Sequence, residues 1–584
     1  MSNLKHTQSY RKGHPDPQKF REEYELLNGE WKFVFDQDDT GLLKHYEREF
    51  PKEHLKINAP YPYQCEKSGI NLPEKQCNVI WYEREFHLNA DDKKHVIVFH
   101  GVDYKTAVFV NGQYALTHEG GYDMFRVDVT SYAIAGENKI TLRIEDTMAI
   151  DQPRGKQRWR KDSFTCFYTE TSGIVRDVYM EHLNKLHIED FMLRADYATK
   201  TLTVDAVAPR GTELCVAVAA IDGKPVKTQC FSVKEEKGRY AVKLDEVIGW
   251  SCENAYLYNV ELTLKKDGET ADRVLSYCGF ITIESKGKRF YLNGKDTYLK
   301  LVLNQGYWVD TITTPTEEEM IGDIELTLAC GFNGARMHEH TPSPLNFYYM
   351  DLYGLYAWQE CASANAYSYA AYKRYRAEFP RMIHDHYSHP CILAYVLFNE
   401  SWGINEIGES EEEQQLTADM YREIKEIAGG RFVISNDGWE HTVSDTVTFH
   451  NYIDNYEGLK TFLDKSLEKV YAGENAECVE NYKKFFAGQY RYEGQPVVFS
   501  EFAGIAFEKD SESGWGYGKS VRTESDFIKR YGDMLRFIKE HEEIRGFCMT
   551  QLTDVYQEKN GLVTMDRREK VSADALKKLH DQFE

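Results

Sequence analysis

Two glutamates stand at the ends of apolar, strand-like segments in the second half of the chain. Glu400 closes the segment ILAYVLFNE, and Glu501 follows VVFS in PVVFSEF. A carboxylate at the end of a buried strand is costly unless it faces a polar cavity. Cleavage of a glycosidic bond needs two carboxyl groups, one that protonates the leaving oxygen and one that attacks the sugar or activates water. The pair therefore predicts glycoside chemistry if both strand ends reach one cavity.

Eight short apolar segments alternate with charged, helix-like segments over residues 284–584. The candidate strands are YLKLVLN, FNGARMH, LYAWQE, ILAYVLFNE, RFVISND, TVTFHNY, PVVFSEF and RGFCMTQL. Eight such units in about 300 residues predict a (β/α)8 barrel, whose active site lies at the carboxyl ends of the strands. Glu400 and Glu501 end the fourth and seventh strands, on opposing sides of the ring, so their side chains can face each other.

Polar side chains also follow most of the other candidate strands. They could form a ring of donors and acceptors for sugar hydroxyls, with Arg336 keeping a carboxylate ionised. Each could instead be a satisfied polar residue of a barrel layer. The substrate-binding candidates are Arg336, His338, Asp437, His450, Tyr452 and Gln551, and Glu360 and Asp554 stand at comparable positions.

Metal-binding and nucleotide-binding patterns are weak in this sequence. His338, Glu339 and His340 could resemble a metal cluster, since alternate residues of a strand point to the same side. The helical HExxH spacing of zinc sites is absent, as are the P-loop and the GxGxxG fingerprint. We therefore expect no metal and no cofactor.

Two β-rich regions precede the predicted barrel. Residues 1–184 alternate β-branched and aromatic runs with turns, and Asn111-Gly112 between two such runs is a strong hairpin signal. This texture predicts a jelly-roll sandwich. Residues 185–283 have the length and strand spacing of an immunoglobulin-like sandwich. The expected fold is thus two all-β sandwiches followed by an α/β barrel.

Composition excludes several classes of partner. The net charge of −23 over 584 residues disfavours nucleic acid and anionic membranes. Apolar runs fall short of the roughly 18 residues that span a bilayer. The start, MSNLKHTQSYRKGHPDPQKF, lacks the apolar region of a signal peptide. Twelve cysteines without a CxxC pair favour reduced thiols over a disulfide framework, and we expect a cytoplasmic location.

The motifs together resemble glycoside hydrolase family two, the β-galactosidase and β-glucuronidase family. In the first two regions the similar segments are LNGEWKFVFD, FVNGQYALTHEGGYDMFRVDVT, QPRGK, SGIVRDVYM, WSCENAYLY and FYLNGK. In the barrel they are LVLNQGYW, CGFNGARMHEH, SHPCILAYVLFNESWG, SNDGWE, FHNY and VVFSEFAG. The similarity is collinear over nearly the whole chain. It implies a sugar-binding jelly roll, an immunoglobulin-like domain and a catalytic barrel.

The resemblance implies roles for individual residues. Glu400 in FNESWG matches the acid/base, and Glu501 in SEFAG matches the nucleophile of a retaining exo-β-glycosidase. Asn399 matches the residue that holds the 2-hydroxyl, and Arg336 with His338 matches the family's arginine–histidine strand. Tyr452 corresponds to the tyrosine beside the nucleophile.

This sequence departs from the best-known members at positions that recognise the sugar. Thr550 stands where those enzymes have a tryptophan under the sugar, so Trp439 or Trp402 would supply the platform. The asparagine–x–lysine signature that grips a glucuronate carboxylate is not evident. We therefore expect a neutral sugar, with Lys559 or Arg567 as the alternative cation if a uronate is the substrate.

The sugar itself stays open at the level of sequence. A β-galactoside is the leading expectation, and a β-glucuronide, β-mannoside, pentoside or furanoside are alternatives. A non-catalytic carbohydrate-binding protein is a different class, disfavoured because a binding module has no use for paired acids. An interaction protein built on the two sandwiches would carry no chemistry at the strand ends.

Resemblance to the family also predicts a homo-oligomer, since its sandwich domains commonly pack against a second subunit. Light scattering at micromolar protein should report a mass of at least two chains of 67.9 kDa. A clean monomer at that concentration would contradict the expectation.

Overall fold

The computed structural model of the protein describes residues 13–507 and 514–583. It contains three consecutive structural regions: two antiparallel sandwiches and a parallel barrel. This is the fold class that the sequence predicted. Residues 1–12 lie outside the described residues. They include the start of the predicted jelly roll and part of the segment that lacks a signal-peptide pattern.

The first region is a sandwich of two large antiparallel sheets with apolar inner faces. Its strands are β1 Tyr24–Leu26, β2 Gly29–Phe35, β3 Leu55–Ala59, β4 Val79–Leu88, β5 Lys94–Phe99, β6 Val102–Asp103, β7 Lys105–Val110, β8 Gln113–Glu119, β9 Phe125–Asp128, β10 Gly136–Glu145, β11 Gly173–Ile174 and β12 Val178–Leu183. One sheet has the order β1–β12–β5–β9, and the other has the order β3–β2–β4–β10–β7–β8. Asn111 and Gly112 join β7 to β8 with φ of 48° and 77°, which is the left-handed geometry of a tight hairpin turn.

The second region packs a three-stranded sheet on a four-stranded one, as expected for an immunoglobulin-like sandwich. The sheet orders are β13–β14–β17 and β16–β15–β18–β19, where the strands are β13 Asp190–Asp196, β14 Thr201–Val207, β15 Glu213–Ala219, β16 Pro225–Ser232, β17 Lys237–Lys243, β18 Tyr258–Lys266 and β19 Glu269–Cys278.

One disulfide corrects the expectation that the cysteines are reduced thiols. Cys215 and Cys230 are bonded, because the β15–β16 register places them directly opposite each other with Cα atoms 4.0 Å apart. Their spacing in the sequence carries no signal, since only the register of the hairpin pairs them. The other ten cysteines are free thiols.

The third region is a parallel eight-stranded barrel, and all eight predicted strands are present. A small antiparallel sheet precedes it, formed by β20 Ile283–Lys286, β21 Arg289–Leu292 and β22 Lys295–Thr297. The barrel strands are β23 Leu299–Asn304, β24 Gly334–Met337, β25 Tyr356–Glu360, β26 Ile392–Val396, β27 Phe432–Ile434, β28 Val447–His450, β31 Val497–Ala503 and β32 Ile544–Thr550. A short antiparallel pair, β29 Glu477–Val479 and β30 Lys483–Lys484, lies between β28 and β31 in the chain. Their hydrogen-bonded order, β27–β26–β25–β24–β23–β32–β31–β28, makes a nearly closed ring.

Helices surround the barrel and begin where the sequence supplies capping side chains. Within the described residues they span Glu317–Ala329, Pro344–Tyr353, Tyr369–His386, Glu411–Ile427, Tyr456–Tyr471, Glu524–Glu540 and Ala573–His580. Thr316 and Glu319 form a reciprocal capping box at the first helix, satisfying backbone N–H groups that would otherwise lack acceptors. No helix among the described residues is long and apolar enough to cross a membrane.

The first sandwich is fastened to the barrel by buried hydrogen bonds. The Arg176 guanidinium donates to the carbonyls of Val175 and Thr313 at 2.8 Å and of Thr341 at 3.1 Å. Arg154 and Gly155 donate their backbone N–H groups to the Ser363 carbonyl at 3.1 and 2.9 Å. The two domains therefore hold a fixed relative position at the mouth of the barrel.

We expect Arg176→Met to lower stability, since it leaves buried carbonyls without their charged donor. Each such hydrogen bond contributes about 1.5–3 kcal/mol. The apparent unfolding temperature in calorimetry should fall by several degrees. Lys185→Met is the matched control, because the Lys185–Asp92 ion pair is fully on the surface. Equal unfolding temperatures for the two variants would contradict this account of the interface.

Candidate active site

Glu501 lies near the end of β31 with its side chain in the barrel mouth. Its Oε1 accepts from Arg336 Nη1 at 2.8 Å, and its Oε2 accepts from the Tyr452 hydroxyl at 2.5 Å. The Tyr452 ring stacks on Tyr517 with centroids 3.4 Å apart. Both carboxylate oxygens are therefore fixed in direction by a cation and a phenol from neighbouring strand ends.

Arg336 is fully buried on β24 and holds several groups at once. Besides Glu501, its guanidinium pairs with Asp437 Oδ2 at 2.5 Å, pairs with Glu360 and donates to Asn399 Oδ1 at 2.7 Å. Burial opposes its charge, but the three carboxylates outweigh burial and raise the pKa of Arg336 further. A permanent cation thus stands at the centre of the strand ends.

The pKa values of Glu360 and Asp437, two carboxyl groups that contact Arg336, shift in opposite directions. Burial outweighs Arg336 at Glu360 and raises its pKa to about 7. At Asp437, Arg336 and His450 outweigh burial and lower the pKa below its ordinary value. Negative charge therefore concentrates on Asp437 rather than on Glu360 at neutral pH.

His450, the last residue of β28, connects the two candidate catalytic acids. Its Nδ1 bonds Glu400 Oε1 at 2.9 Å, and its Nε2 bonds Asp437 Oδ2 at 2.8 Å and lies 3.6 Å from Glu501 Oε1. Burial lowers the pKa of His450, but Glu501, Asp437 and the hydrogen bonds outweigh it and raise the pKa to about 10. Both ring nitrogens consequently bear protons and donate to carboxylates.

Glu400 follows β26 on a tight turn that aims its side chain into the cavity. Glu400 and Ser401 both adopt positive φ, 52° and 62°, which is uncommon for residues with a Cβ. The turn is held because Glu400 N–H donates to the Asp437 carbonyl at 3.0 Å and Ser401 N–H donates to Asn436 Oδ1 at 3.0 Å. The Glu400 side chain is 24% exposed, against 6% for Glu501. Glu400 is thus the more accessible of the two acids.

A cavity of about 880 Å³ opens over these groups. Glu400, His450 and Tyr452 lie at its base, and both Trp402 and Trp439 line its wall. The sequence suggested these two tryptophans as substitutes for the eighth-strand tryptophan under the sugar, and both line this cavity. Tyr452 also reaches Thr550 Oγ1 at 3.1 Å, so the eighth strand contributes a hydroxyl there.

Several buried polar atoms around the cavity base lack a partner among the described residues. They are His338 Nε2, Asn399 Nδ2, Asp437 Oδ1 and Trp439 Nε1. Gln305 Nε2 donates to Gln551, so Gln305 Oε1 accepts from His338 Nδ1 at 3.0 Å and His338 Nε2 is left as an acceptor. Burial, Lys156 and Arg336 lower the pKa of His338 well below its ordinary value, which keeps the ring neutral. Buried donors and acceptors without partners are suited to ligand hydroxyls.

Comparison with known proteins identifies the family of these domains. The chain matches the family models for glycosyl hydrolases family 2: the sugar binding domain over residues 24–184, the middle domain over 186–280 and the TIM barrel domain over 283–584. The protein belongs to glycosyl hydrolase family 2. This is the family that the motifs of the sequence resembled.

Relatives within glycosyl hydrolase family 2 differ in the sugar that they are named for. The chain is 27% identical over 469 residues to a β-galactosidase of Thermoanaerobacter pseudethanolicus, covering 74% of this chain and 57% of the relative. It is 22% identical over 544 residues to a β-glucuronidase of Bacteroides fragilis, covering 85% and 72%. The chain spans about a third to somewhat over half the length of the β-galactosidases that it matches.

A solved structure shares the whole domain arrangement. The β-glucuronidase of Ruminococcus gnavus in complex with D-glucuronic acid superposes with a TM-score of 0.80 at 19% identity, covering 97% of this chain and 99% of that chain. At this identity the match shows the fold alone.

The structure brings together most residues of the predicted site, with one outside it. Four of them line the cavity: Glu400, Trp439, His450 and Tyr452. The other five form the buried network joined to these residues: Glu501, Asn399, Arg336, His338 and Asp437. Gln551 instead bonds Gln305 and Asn560, each at 2.7 Å, and supports the network beneath. Its role in binding the sugar stays a prediction.

The histidine–glutamate–histidine segment does not form one cluster. His338 bonds Gln305, Glu339 accepts from Ser363 at 2.8–3.0 Å, and His340 packs against Gly306. A separate group, Glu400, His450 and Glu501, has one ligand atom each within 4.8 Å of one another. Within this group both ring nitrogens of His450 are engaged by carboxylates, Nδ1 by Glu400 and Nε2 by Asp437.

Several cavity residues carried no signal as site residues in the sequence. Trp159 from the first sandwich and Tyr482 and Tyr517 from barrel loops line the cavity. Lys156, quoted above only within QPRGK, lies with its ammonium 5.4 Å from the Trp402 ring centre. These residues lie on loops of two different domains. Only the tertiary structure shows that the loops come together at the cavity.

Protonation of His450 should make its contribution to stability depend on pH. Its pKa rises from 6.5 to about 10 on folding, so the stabilisation is complete below pH 6.5 and is lost as pH rises through 10. We expect His450→Gln to be less stable than the native chain at pH 6, with a gap that narrows toward pH 10. Thermal unfolding at pH 6, 8 and 10 measures it, with His87→Gln at an exposed ion pair as control. A gap that does not change with pH would contradict the assignment.

Proposed function

We propose that the protein is a retaining exo-β-glycosidase in which Glu501 is the nucleophile and Glu400 is the acid/base. The observation that carries the proposal is the proximity of their carboxylate oxygens, which lie within 4.8 Å of each other. Retaining enzymes place their carboxyl groups about 5–5.5 Å apart, whereas inverting enzymes leave about 6.5–9.5 Å for a water molecule. The short separation supports direct attack by one acid on the sugar.

In the first step a Glu501 oxygen forms a bond to the anomeric carbon as the bond to the leaving oxygen breaks. Glu400 transfers its proton to that oxygen, so the aglycone leaves as a neutral alcohol. Arg336 and Tyr452 hold Glu501 in the direction of attack. The product of this step is a glycosyl ester of Glu501.

In the second step water attacks the anomeric carbon and the ester bond to Glu501 breaks. Glu400, now ionised, accepts the proton of water, and Glu501 leaves as a carboxylate. Two displacements return the original anomeric configuration. His450 donates to Glu400 and keeps it beside the anomeric carbon in both steps.

Sugar hydroxyls would be held by the unpartnered atoms at the cavity base. Asn399 Oδ1 is occupied by Arg336, which leaves Nδ2 as a donor for the 2-hydroxyl. His338 Nε2 would accept from a hydroxyl, and Trp439 Nε1 would donate to one. Trp402 and Trp439 line the cavity, where their rings would stack on the C–H faces of the sugar.

Two sugar classes are candidates. A β-galactoside agrees with relatives named β-galactosidase and with the expectation of a neutral sugar. A β-uronide agrees with relatives named β-glucuronidase, and a lysine ammonium beside the cavity favours it. A panel of 4-nitrophenyl β-glycosides measures which class is turned over.

Variants of the two acids separate their roles. Glu501→Ala should abolish turnover and be partly rescued by azide, giving the α-glycosyl azide. Glu400→Ala should retain glycosylation by substrates with good leaving groups, because such groups leave without an acid. Azide should then give the β-glycosyl azide, because an anionic nucleophile needs no base. The anomers are identified by NMR. Opposite anomers would reverse the role assignment, and an inverted product from the native enzyme would refute the retaining mechanism.

A further inference from the structure

A loop of the first sandwich reaches into the barrel mouth and is rigidly held there. Arg154 N–H and Gly155 N–H donate to the Ser363 carbonyl, and Lys156 accepts from Tyr168 N–H through its carbonyl at 2.8 Å. Gly155 has φ of 54°, and a Cβ there would lie 2.2 Å from the Glu339 carbonyl oxygen. The loop therefore passes directly over the end of β24, and only glycine permits this approach.

Lys156, the next residue, extends its side chain toward the catalytic acids. The residue is only 7% exposed, and its ammonium lies 5.4 Å from the Trp402 ring centre and 5.9 Å from that of Tyr168. The ammonium makes no hydrogen bond or ion pair with any described residue. A buried ammonium without acceptors is costly, and cation–π contacts replace only part of its hydration.

The charge of Lys156 is maintained by its surroundings. Burial lowers the pKa of Lys156, but the acidic groups around it outweigh burial and raise the pKa above its ordinary value. The carboxyl groups among them belong to Glu558, Glu501 and Glu400. The ammonium is therefore present throughout the neutral range.

Each nearby acid has donors other than Lys156. Glu501 is held by Arg336 and Tyr452, and Glu400 is held by His450. Glu558 accepts from Tyr168 and from Asn560. The Lys156 ammonium thus forms no ion pair with these carboxylates within 4 Å. Its three N–H groups remain available to a ligand.

We propose that Lys156 determines sugar specificity, its ammonium pairing with a carboxylate on the terminal sugar, so that the substrate is a β-linked uronide. This inference rests on the glycosidase function proposed above. It replaces the neutral sugar that the sequence led us to expect, because that expectation considered cations of the barrel only. A charge-assisted pair in a buried site is stronger than a neutral hydrogen bond.

Other cations near the cavity are committed elsewhere. Lys483 lines the cavity but pairs with Glu440 Oε2 at 2.8 Å. Arg567, the alternative named from sequence, forms a double ion pair with Asp323 at 2.9 Å on each arm. Lys483 is thus the main rival to Lys156 for a substrate carboxylate.

The test compares uronides with neutral sugars of the same configuration. Values of kcat/KM are measured for 4-nitrophenyl β-D-glucuronide against the β-D-glucoside, and for the β-D-galacturonide against the β-D-galactoside. The native enzyme should prefer the uronide at least tenfold in one pair. Lys156→Met should lower kcat/KM for that uronide by about ten- to a hundredfold and change the neutral substrates less than threefold. Lys156→Arg should recover part of the preference.

Two control variants test whether the effect is specific to Lys156. Arg160→Met removes an exposed cation four residues away, which lies over Phe164, and should change neither substrate class. The proposal is overturned if the native enzyme prefers the neutral sugar in both pairs, if Lys156→Met lowers both classes equally, or if Lys483→Met alone removes the uronide preference.

Should Lys156→Met fail to fold, inhibition of the native enzyme by free sugars decides. Glucuronate or galacturonate must then inhibit at least tenfold more tightly than glucose or galactose, and equal inhibition refutes the proposal. Failure of the glycosidase function looks different, since no member of the panel would be hydrolysed and neither acid variant would respond to azide.

Discussion

The structure of the site depends on one buried cation. Arg336 sits at the centre of the strand ends and contacts Glu501, Asp437 and Glu360 as well as the Asn399 side chain. Without it, three carboxylates would share a space from which water is largely excluded, and their mutual repulsion would oppose folding. With it, Glu501 has a fixed direction, Asp437 is ionised, and the amide oxygen of Asn399 is occupied while its nitrogen has no partner among the described residues. Catalytic geometry and local stability therefore have the same source.

Around this cation the barrel supplies positions that no single segment could provide. Parallel strands all end at one face, so residues far apart in sequence meet there. The β28–β31 register places His450 beside Glu501, and an isolated bridge places Asn399 beside Asp437. His450 then links Glu400 to the group around Arg336 by donating to Glu400 on one side and to Asp437 on the other. The positive φ of Glu400 is tolerated because its backbone is bonded to the neighbouring strand end.

The first sandwich takes part in the site rather than merely accompanying it. Its loop crosses the mouth at Gly155, places the Lys156 ammonium beside Trp402 and contributes Trp159 to the cavity lining. The backbone hydrogen bonds to Ser363 and the Arg176 contacts fix this loop on the barrel. In the function that we propose, the barrel supplies the two acids and a loop of the sandwich supplies the cation that pairs with the sugar. A change of sugar within the family need not alter the catalytic acids.

The sequence by itself determined the fold class, the eight barrel strands and the two acids, because these are written in local patterns: apolar runs of strand length, capping residues and carboxylates at strand ends. It also indicated Arg336, His450 and Tyr452, which stand at those same ends. Only the tertiary structure decided that Gln551 supports the network from below, that Cys215 and Cys230 are bonded, and that Lys156 faces the acids. Each of these depends on register or on the docking of one domain on another. Such contacts join residues far apart in the chain or across a hairpin, and local periodicity carries no information about them.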